Sequence, residues 1–425
     1  MSIKWLKIFH KMNVKLSFFG GLFFTLIATY VSAGDYFAEF DRVGITPSEL
    51  AILVNVDDSQ SVEVAKIYAK KRGIPSENLI QLHFNPAQNE MSQADFVTIK
   101  QEVEAKTKSH IQGYAISWTK PYRVVCMSMT SAISFGFDQA YCGGCNPTRE
   151  SPYFNTTSTT PFNDFKIRPS MMLAGDSVQE VLQLIDRGIH ADSSFPSGNS
   201  YLIKGNGGNY DVRAANYNLT REDFNSVFLT YVTKQVSTSP LKRKNILFYF
   251  IGAPQVTRLE QLEFLPGAIA DHLTSFGGDL YGKHGQSVSL AWLKAGATAS
   301  YGTVVEPCNH LQKFPNPAAA MYYYLKGNSL LEAYWKSVAW PGQGLFIGEP
   351  LSSPFKPVFS KLNDKQYTVK VFAENQTRLF LHYTESLTTA YTKIAEFQIK
   401  RGINQINIPP ELTSGNGGYF KFEIR

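Results

Sequence analysis

The run Leu50-Ala51-Ile52-Leu53-Val54-Asn55-Val56 constrains the fold more than any other stretch of this chain. It is almost wholly apolar, rich in branched residues, and ends abruptly at Asp57-Asp58-Ser59. A strand with no polar face has to be covered on both sides. The residues that follow can supply one cover. Val62, Ala65, Ile67 and Ala69 lie between Ser61 and Arg72, Ser59 or Ser61 can cap the start, and Gly73 can cap the end with Pro75 beyond, which predicts a helix. Residues 78–84 then read as a second strand, 92–110 as a second helix, and 114–118 and 124–129 as further extended segments. This alternation predicts an α/β fold with a mostly parallel sheet flanked by helices.

Residues 138–168 interrupt the pattern with Gly, Pro, Asn, Thr and Ser, and predict an insertion or lid. Beyond it, 170–187 read as a helix, 245–251 and 298–305 as strands, and 316–326 and 329–338 as closing helices. After Pro350 the helical period is lost. Tyr367/Val369/Val371, Leu379/Leu381/Tyr383 and Phe420/Phe422/Ile424 alternate with polar neighbours, as half-buried antiparallel strands do. They predict a small C-terminal β-sandwich over 353–425, after an α/β domain over 34–352. No internal repeat is visible.

The charge count needs to be located before it is used. The 41 Lys+Arg exceed the 35 Asp+Glu, a formal net of +6, but Lys4, Lys7, Lys11 and Lys15 fall in residues 1–33 without an acid among them. Without that segment, 37 basic groups face 35 acidic ones, a net of +2. No basic stripe remains to displace counterions, so nucleic acid is not an expected partner. The uncharged run Leu16–Val31 and the small residues of Val31-Ser32-Ala33 predict a secretory signal cleaved before Gly34. A spanning helix needs roughly 20 apolar residues, more than this run holds. The expectation is therefore an exported protein, periplasmic or extracellular, that meets the membrane only through its signal. An N-terminally anchored form is the alternative. A hydrophobic fraction of 44% excludes a disordered chain.

Export changes how Cys126, Cys142, Cys145 and Cys308 are read, because disulfides persist in oxidising compartments. Cys142-Gly143-Gly144-Cys145 lacks the second pair a structural zinc site needs, and the Gly-Gly loop does not suit a thioredoxin-like motif. A local disulfide or loop thiols remain, and all three pairings stay open.

Polar residues able to do chemistry concentrate between 252 and 310. Gly252-Ala253-Pro254 follows a strong strand, where open α/β sheets bind ligands. Asp271-His272-Leu273-Thr274-Ser275 precedes Gly277-Gly278, and Glu306-Pro307-Cys308-Asn309-His310 follows the next strand. One assignment makes Cys308 a nucleophile with His272 or His310 as base. Another uses Ser275 or Thr274, with His272 as base and Asp271 or Glu306 as its orienter, although no G-x-S-x-G elbow surrounds Ser275. A third makes Asp271, His272 and Glu306 a metal site, which offers hard O and N donors, but they lack a recognisable spacing and no metal is expected. The structural alternative has Asp271 and His272 satisfying buried groups and Cys308 packed or paired. The glycine runs lack phosphate-loop endings, and no cofactor is expected.

Four blocks carry a resemblance to a family of exported bacterial proteins to which no chemistry is attached. They are Leu53-Val54-Asn55 with 65–75, then 271–278, 296–308 and 344–351. A more distant resemblance is to gingipain-type cysteine peptidases, which implies a caspase-like α/β domain followed by an immunoglobulin-like domain. In that family one strand ends in a catalytic His-Gly and the next in a catalytic Cys. Here those slots read Gly252-Ala253-Pro254 and Thr274-Ser275, and Gly348-Glu349-Pro350 is similar to the family's closing turn. The resemblance thus implies the architecture without its catalytic pair. Two functions follow as expectations. One is a hydrolase-like protein, an altered or inactive peptidase relative, with His272, Ser275, Glu306 and Cys308 in one cleft. The other is a non-catalytic cell-surface or periplasmic module that binds peptide or glycan, with those residues buried apart or paired.

Overall fold

The computed structural model describes residues 31–33, 36–205, 208–234, 242–363, 366–415 and 417–425. Most of the expected export signal, and Gly34 after its cleavage point, lie outside the described residues. Among the described residues no helix is long and apolar enough to cross a membrane.

Among the described residues, ten strands form the main sheet. In chain order they are β1 (Leu50–Asn55), β2 (Leu79–Leu82), β3 (Gly113–Ile116), β4 (Ser170–Met172), β5 (Asn199–Lys204), β6 (Leu229–Lys234), β7 (Arg243–Gly252), β8 (Leu262–Leu273), β9 (Ala299–Thr303) and β10 (Gly344–Gly348). Across the sheet they run β6-β5-β7-β8-β9-β10-β4-β3-β1-β2. Every neighbouring pair is parallel except β9 with β10, where Ala299 faces Gly348 and Thr303 faces Gly344. The sheet is thus two parallel halves joined back to back. Read from its outer edge, each half places its second strand first, then its first, third, fourth and last. This repeat of topology has no counterpart in the residues.

All of β1 is buried, as its run of apolar side chains requires. The helix Ser59–Arg72 covers one face; Asp58 caps it by accepting from the Gln60 N–H, and Gly73 ends it at φ 65°. The cap thus lies one residue before Ser59 and three before Ser61, the two serines expected to provide it. The helix Gln93–Lys106, capped by Ser92, covers the other face and stops short of the expected 110 because its Thr107 cap is already extended. A separate core lies on each face, with Val64, Val181 and Leu331 on one and Phe96, Val103 and Ile133 on the other.

One expectation needs correction. Residues 170–172 are the strand β4, and the helix is Val178–Ala191, capped by Ser177. The stretch 138–168, expected as an insertion or lid, is held against the α/β domain. Its Tyr153 is fully buried, and Ser151 N–H and Asn155 N–H donate to the carbonyls of Ala339 and Lys336 at 2.7 and 3.0 Å.

The C-terminal strands form two facing sheets over a core that includes Phe359, Tyr367, Leu381, Phe420 and Phe422. Tyr36–Phe40 belongs with them. It pairs in parallel with Gly418–Ile424, and its Tyr36 ring stacks on Phe420 at 5.0 Å. The sandwich therefore takes a strand from the front of the chain, before the α/β domain begins.

Candidate functional site

A cavity of about 210 Å³ opens at the carboxyl ends of β8 and β9. Thr274 and Ser275 enter it directly from the end of β8, and Glu306 to Asn309 from the loop after β9. Asn209 and Tyr210 close it from the 3-10 segment Gly208–Asn216, which follows β5. Carboxyl ends of parallel strands are where α/β sheets collect ligand groups. Gly252 ends β7 beneath Tyr210, and a Cβ there would fall 1.9 Å from the Tyr210 carbonyl oxygen. Only glycine fits at that point, and the Tyr210 backbone fills the space beside it.

Ser275, Glu306 and Cys308 thus line one cavity, whereas Asp271 and His272 do not. Both lie within β8, paired with Phe250 and Ile251 of β7. Adjacent side chains of a strand point to opposite faces, so an acid and imidazole in sequence cannot touch there. His272 is buried with both ring nitrogens engaged. Trp292 Nε1–H donates to Nδ1 at 2.9 Å, which leaves Nε2–H to donate to the Ser287 carbonyl, also at 2.9 Å. This arrangement holds the neutral tautomer and leaves no lone pair for a nucleophile. Asp271 pairs with buried Arg213 at 2.6 Å and accepts from the Tyr334 hydroxyl at 3.3 Å. The expected roles of His272 as base and Asp271 as its orienter are therefore corrected: both are spent on the core.

The cysteine assignment is corrected as well. Cys308 is bonded to Cys145, and Cys126 to Cys142, so each half of the C-x-x-C is tied to a different partner. A disulfide sulfur is not a thiolate. His310, the alternative base, places Nε2 2.6 Å from the Cys145 carbonyl. Ligand atoms of Cys145, Glu306 and Cys308 lie within 4.8 Å of one another, but with the two sulfurs joined they are not a thiolate metal set.

What faces the cavity is hydrogen-bonding chemistry. Glu306 Oε1 accepts the Cys308 N–H at 2.8 Å, and Thr274 Oγ1 donates to Gln286 Oε1 at 2.7 Å. Ser275 Oγ makes no hydrogen bond among the described residues. Asn209, Tyr210, Asn309 and Phe314 complete the lining. Asn309 belongs to the polar run 306–310, whereas Asn209, Tyr210 and Phe314 did not stand out in the sequence, because long-range packing brings them in from separate segments.

Burial is the main cause that pushes the His272 imidazole from 6.5 down to about 4, and the Arg213 charge adds to it. In that interval the unfolded chain holds a proton that the folded chain refuses, so stability falls as pH drops from 6.5 to 4. The expected loss is about 3 kcal/mol. Urea denaturation across this range should show it in the native chain and a shallower slope in His272→Gln. Equal slopes would place the imidazole in contact with water.

No family model matches the chain, and no curated protein does. Among solved structures, a chain described as the structure of a protease aligns with a TM-score of 0.39 and 10% identity. The alignment covers 86% of this chain and 98% of the other. A score of that size does not carry the assignment of a fold or an activity. The site has to be read from its own geometry.

Proposed function

We propose that this chain is an exported binding protein whose caspase-like α/β scaffold and immunoglobulin-like sandwich work without a catalytic centre. The cleft at the ends of β8 and β9 then holds a polar side chain of an extended peptide. One observation carries this reading: each imidazole and thiol assigned to catalysis is bonded elsewhere, His272 inside the core and Cys308 to Cys145. The groups left at the cavity are Ser275, Thr274, Glu306, Asn209 and Asn309, which can hold a polar group but include no imidazole to take a proton. The order of slots implied by the peptidase resemblance supports the scaffold, since β7 ends at Gly252 and its neighbour β8 at Leu273, just before Thr274-Ser275. Delivery to an oxidising compartment belongs to the same reading, supported by the basic, then apolar, N-terminus and by two disulfides with no free cysteine among the described residues.

The test is a screen of the purified full chain against peptide, ester and glycan substrates, with and without a thiol reductant. No turnover above background is expected in the native chain or in Ser275→Ala. Turnover lost in Ser275→Ala or Glu306→Gln would overturn the reading. So would turnover that appears on reduction and vanishes in Cys308→Ser.

A further inference from the structure

Two cavities larger than this cleft lie away from it, where the helix Pro317–Leu325 meets the sandwich. Their volumes are about 440 and 490 Å³, and they share Leu325, Phe372 and Glu374 as a common wall. Both sizes fall within the usual range for small-molecule sites, and domain junctions are a common place for them.

The first cavity combines aromatic rings with planar polar groups. Phe224 and Tyr322 come from the α/β domain, and Phe372 from the sandwich strand Gln366–Ala373. Glu374 accepts from the Tyr322 hydroxyl at 3.1 Å and is ion-paired with Lys326. Arg401 donates to the Asp223 carbonyl at 2.7 Å, and the Asp223 side chain makes no ion pair among the described residues. Asp223, Glu374 and Arg401 line this cavity, and Lys326, which lines the adjoining one, neutralises Glu374 through their ion pair, so the charge left at the cavity balances.

This balance selects the ligand. An anion would face the Asp223 and Glu374 carboxylates, and a cation would face the Arg401 guanidinium. A purely apolar ligand would strip water from those groups and return no hydrogen bond. A neutral polyol meets both needs: its apolar C–H faces pack on the rings, and its paired hydroxyls bond to the carboxylates and the guanidinium. We propose that the junction of the two domains is a binding site for a neutral oligosaccharide. The proposal is independent of the cleft.

The full chain should be titrated calorimetrically with chitotriose, cellotriose, maltotriose and mannotriose, and with trigalacturonate and an uncharged apolar tripeptide as contrasts. At least one neutral trisaccharide is expected to bind. Arg401→Ala and Tyr322→Ala should each weaken it about tenfold, the loss of roughly one charge-assisted hydrogen bond or ring contact. Ser275→Ala should leave it unchanged, which separates this site from the cleft. Failure of all four neutral sugars to bind would overturn the proposal. So would binding that survives both junction substitutions, or tighter binding of trigalacturonate or the tripeptide. Arg401 is exposed, so its variant is expected to melt with the native chain and serves as the folding control.

Discussion

Glu349→Ala is expected to lower stability by about 3–5 kcal/mol, the range for removing one partner of a buried ion pair. Glu349 is wholly buried, just beyond the end of β10, and it is shared by several donors. The Tyr68 hydroxyl donates to Oε1 at 2.5 Å, Arg72 Nε donates to the same oxygen at 3.0 Å, and a second Arg72 nitrogen pairs with Oε2. Arg72 also pairs with Asp192, so this carboxylate ties the helix Ser59–Arg72 to the end of the helix Val178–Ala191 and to β10. Packing around it is tight. A Cβ at Gly188 would lie 2.3 Å from Oε2, so the helix approaches the acid as closely as glycine allows. Loss of the carboxylate would leave a nearly buried guanidinium with half its compensation and a buried phenol without its acceptor. Glu349→Gln keeps the shape and one acceptor, and should cost less. Chemical denaturation would measure both, and a change below about 1 kcal/mol in Glu349→Ala would show that water replaces the lost group.

The second large effect concerns Asp271 and Arg213, and its direction depends on which residue is removed. Burial raises the Asp271 carboxyl while the neighbouring guanidinium lowers it, and the same acid holds Arg213 above its ordinary value against the cost of burial. Arg213 also donates to the Ile251 carbonyl at 3.0 Å. Asp271→Leu or Arg213→Met alone would strand one charge in the core, and each should cost about 3–5 kcal/mol. The double substitution removes both charges and fills the space with apolar groups, so it should recover most of that loss. A double-mutant cycle read by urea denaturation checks this. Additive losses would mean that each group answers to other partners. A catalytic acid would behave differently, since its removal would spare stability and abolish turnover.

The contrast between these two sites shows how far residue patterns carry. Gly348-Glu349-Pro350 was visible as a turn, but nothing near it in sequence points to Tyr68 or Arg72. Arg213 likewise lies in the 3-10 segment Gly208–Asn216, with no marked pattern. The cluster Asp271-His272-Thr274-Ser275 was legible as unusual polar density, and its split was not. The first two residues lie inside β8 and the last two just past its end, so the strand boundary at Leu273 separates core from cleft. The flanking apolar residues of 265–270 are too mixed with Pro266 and Gly267 to announce a buried strand, and that strand exists because β7 and β9 bond to it on either side.

Local composition by itself determined much of the chain's plan. Apolar runs without a polar face require a covered, mostly parallel sheet, helix caps mark where the covers begin and end, and period-two alternation marks the sandwich. Each of these follows from contacts within a few residues, which sequence order already specifies. Only the tertiary structure decided the rest. The back-to-back joint of β9 and β10, the return of Tyr36–Phe40 to the sandwich, and the pairing of Cys145 with Cys308 all join segments far apart in the chain. Whether an imidazole or a thiol is free to react depends on such contacts, because a group's chemistry is set by what surrounds it in space. Sequence neighbours do not report that.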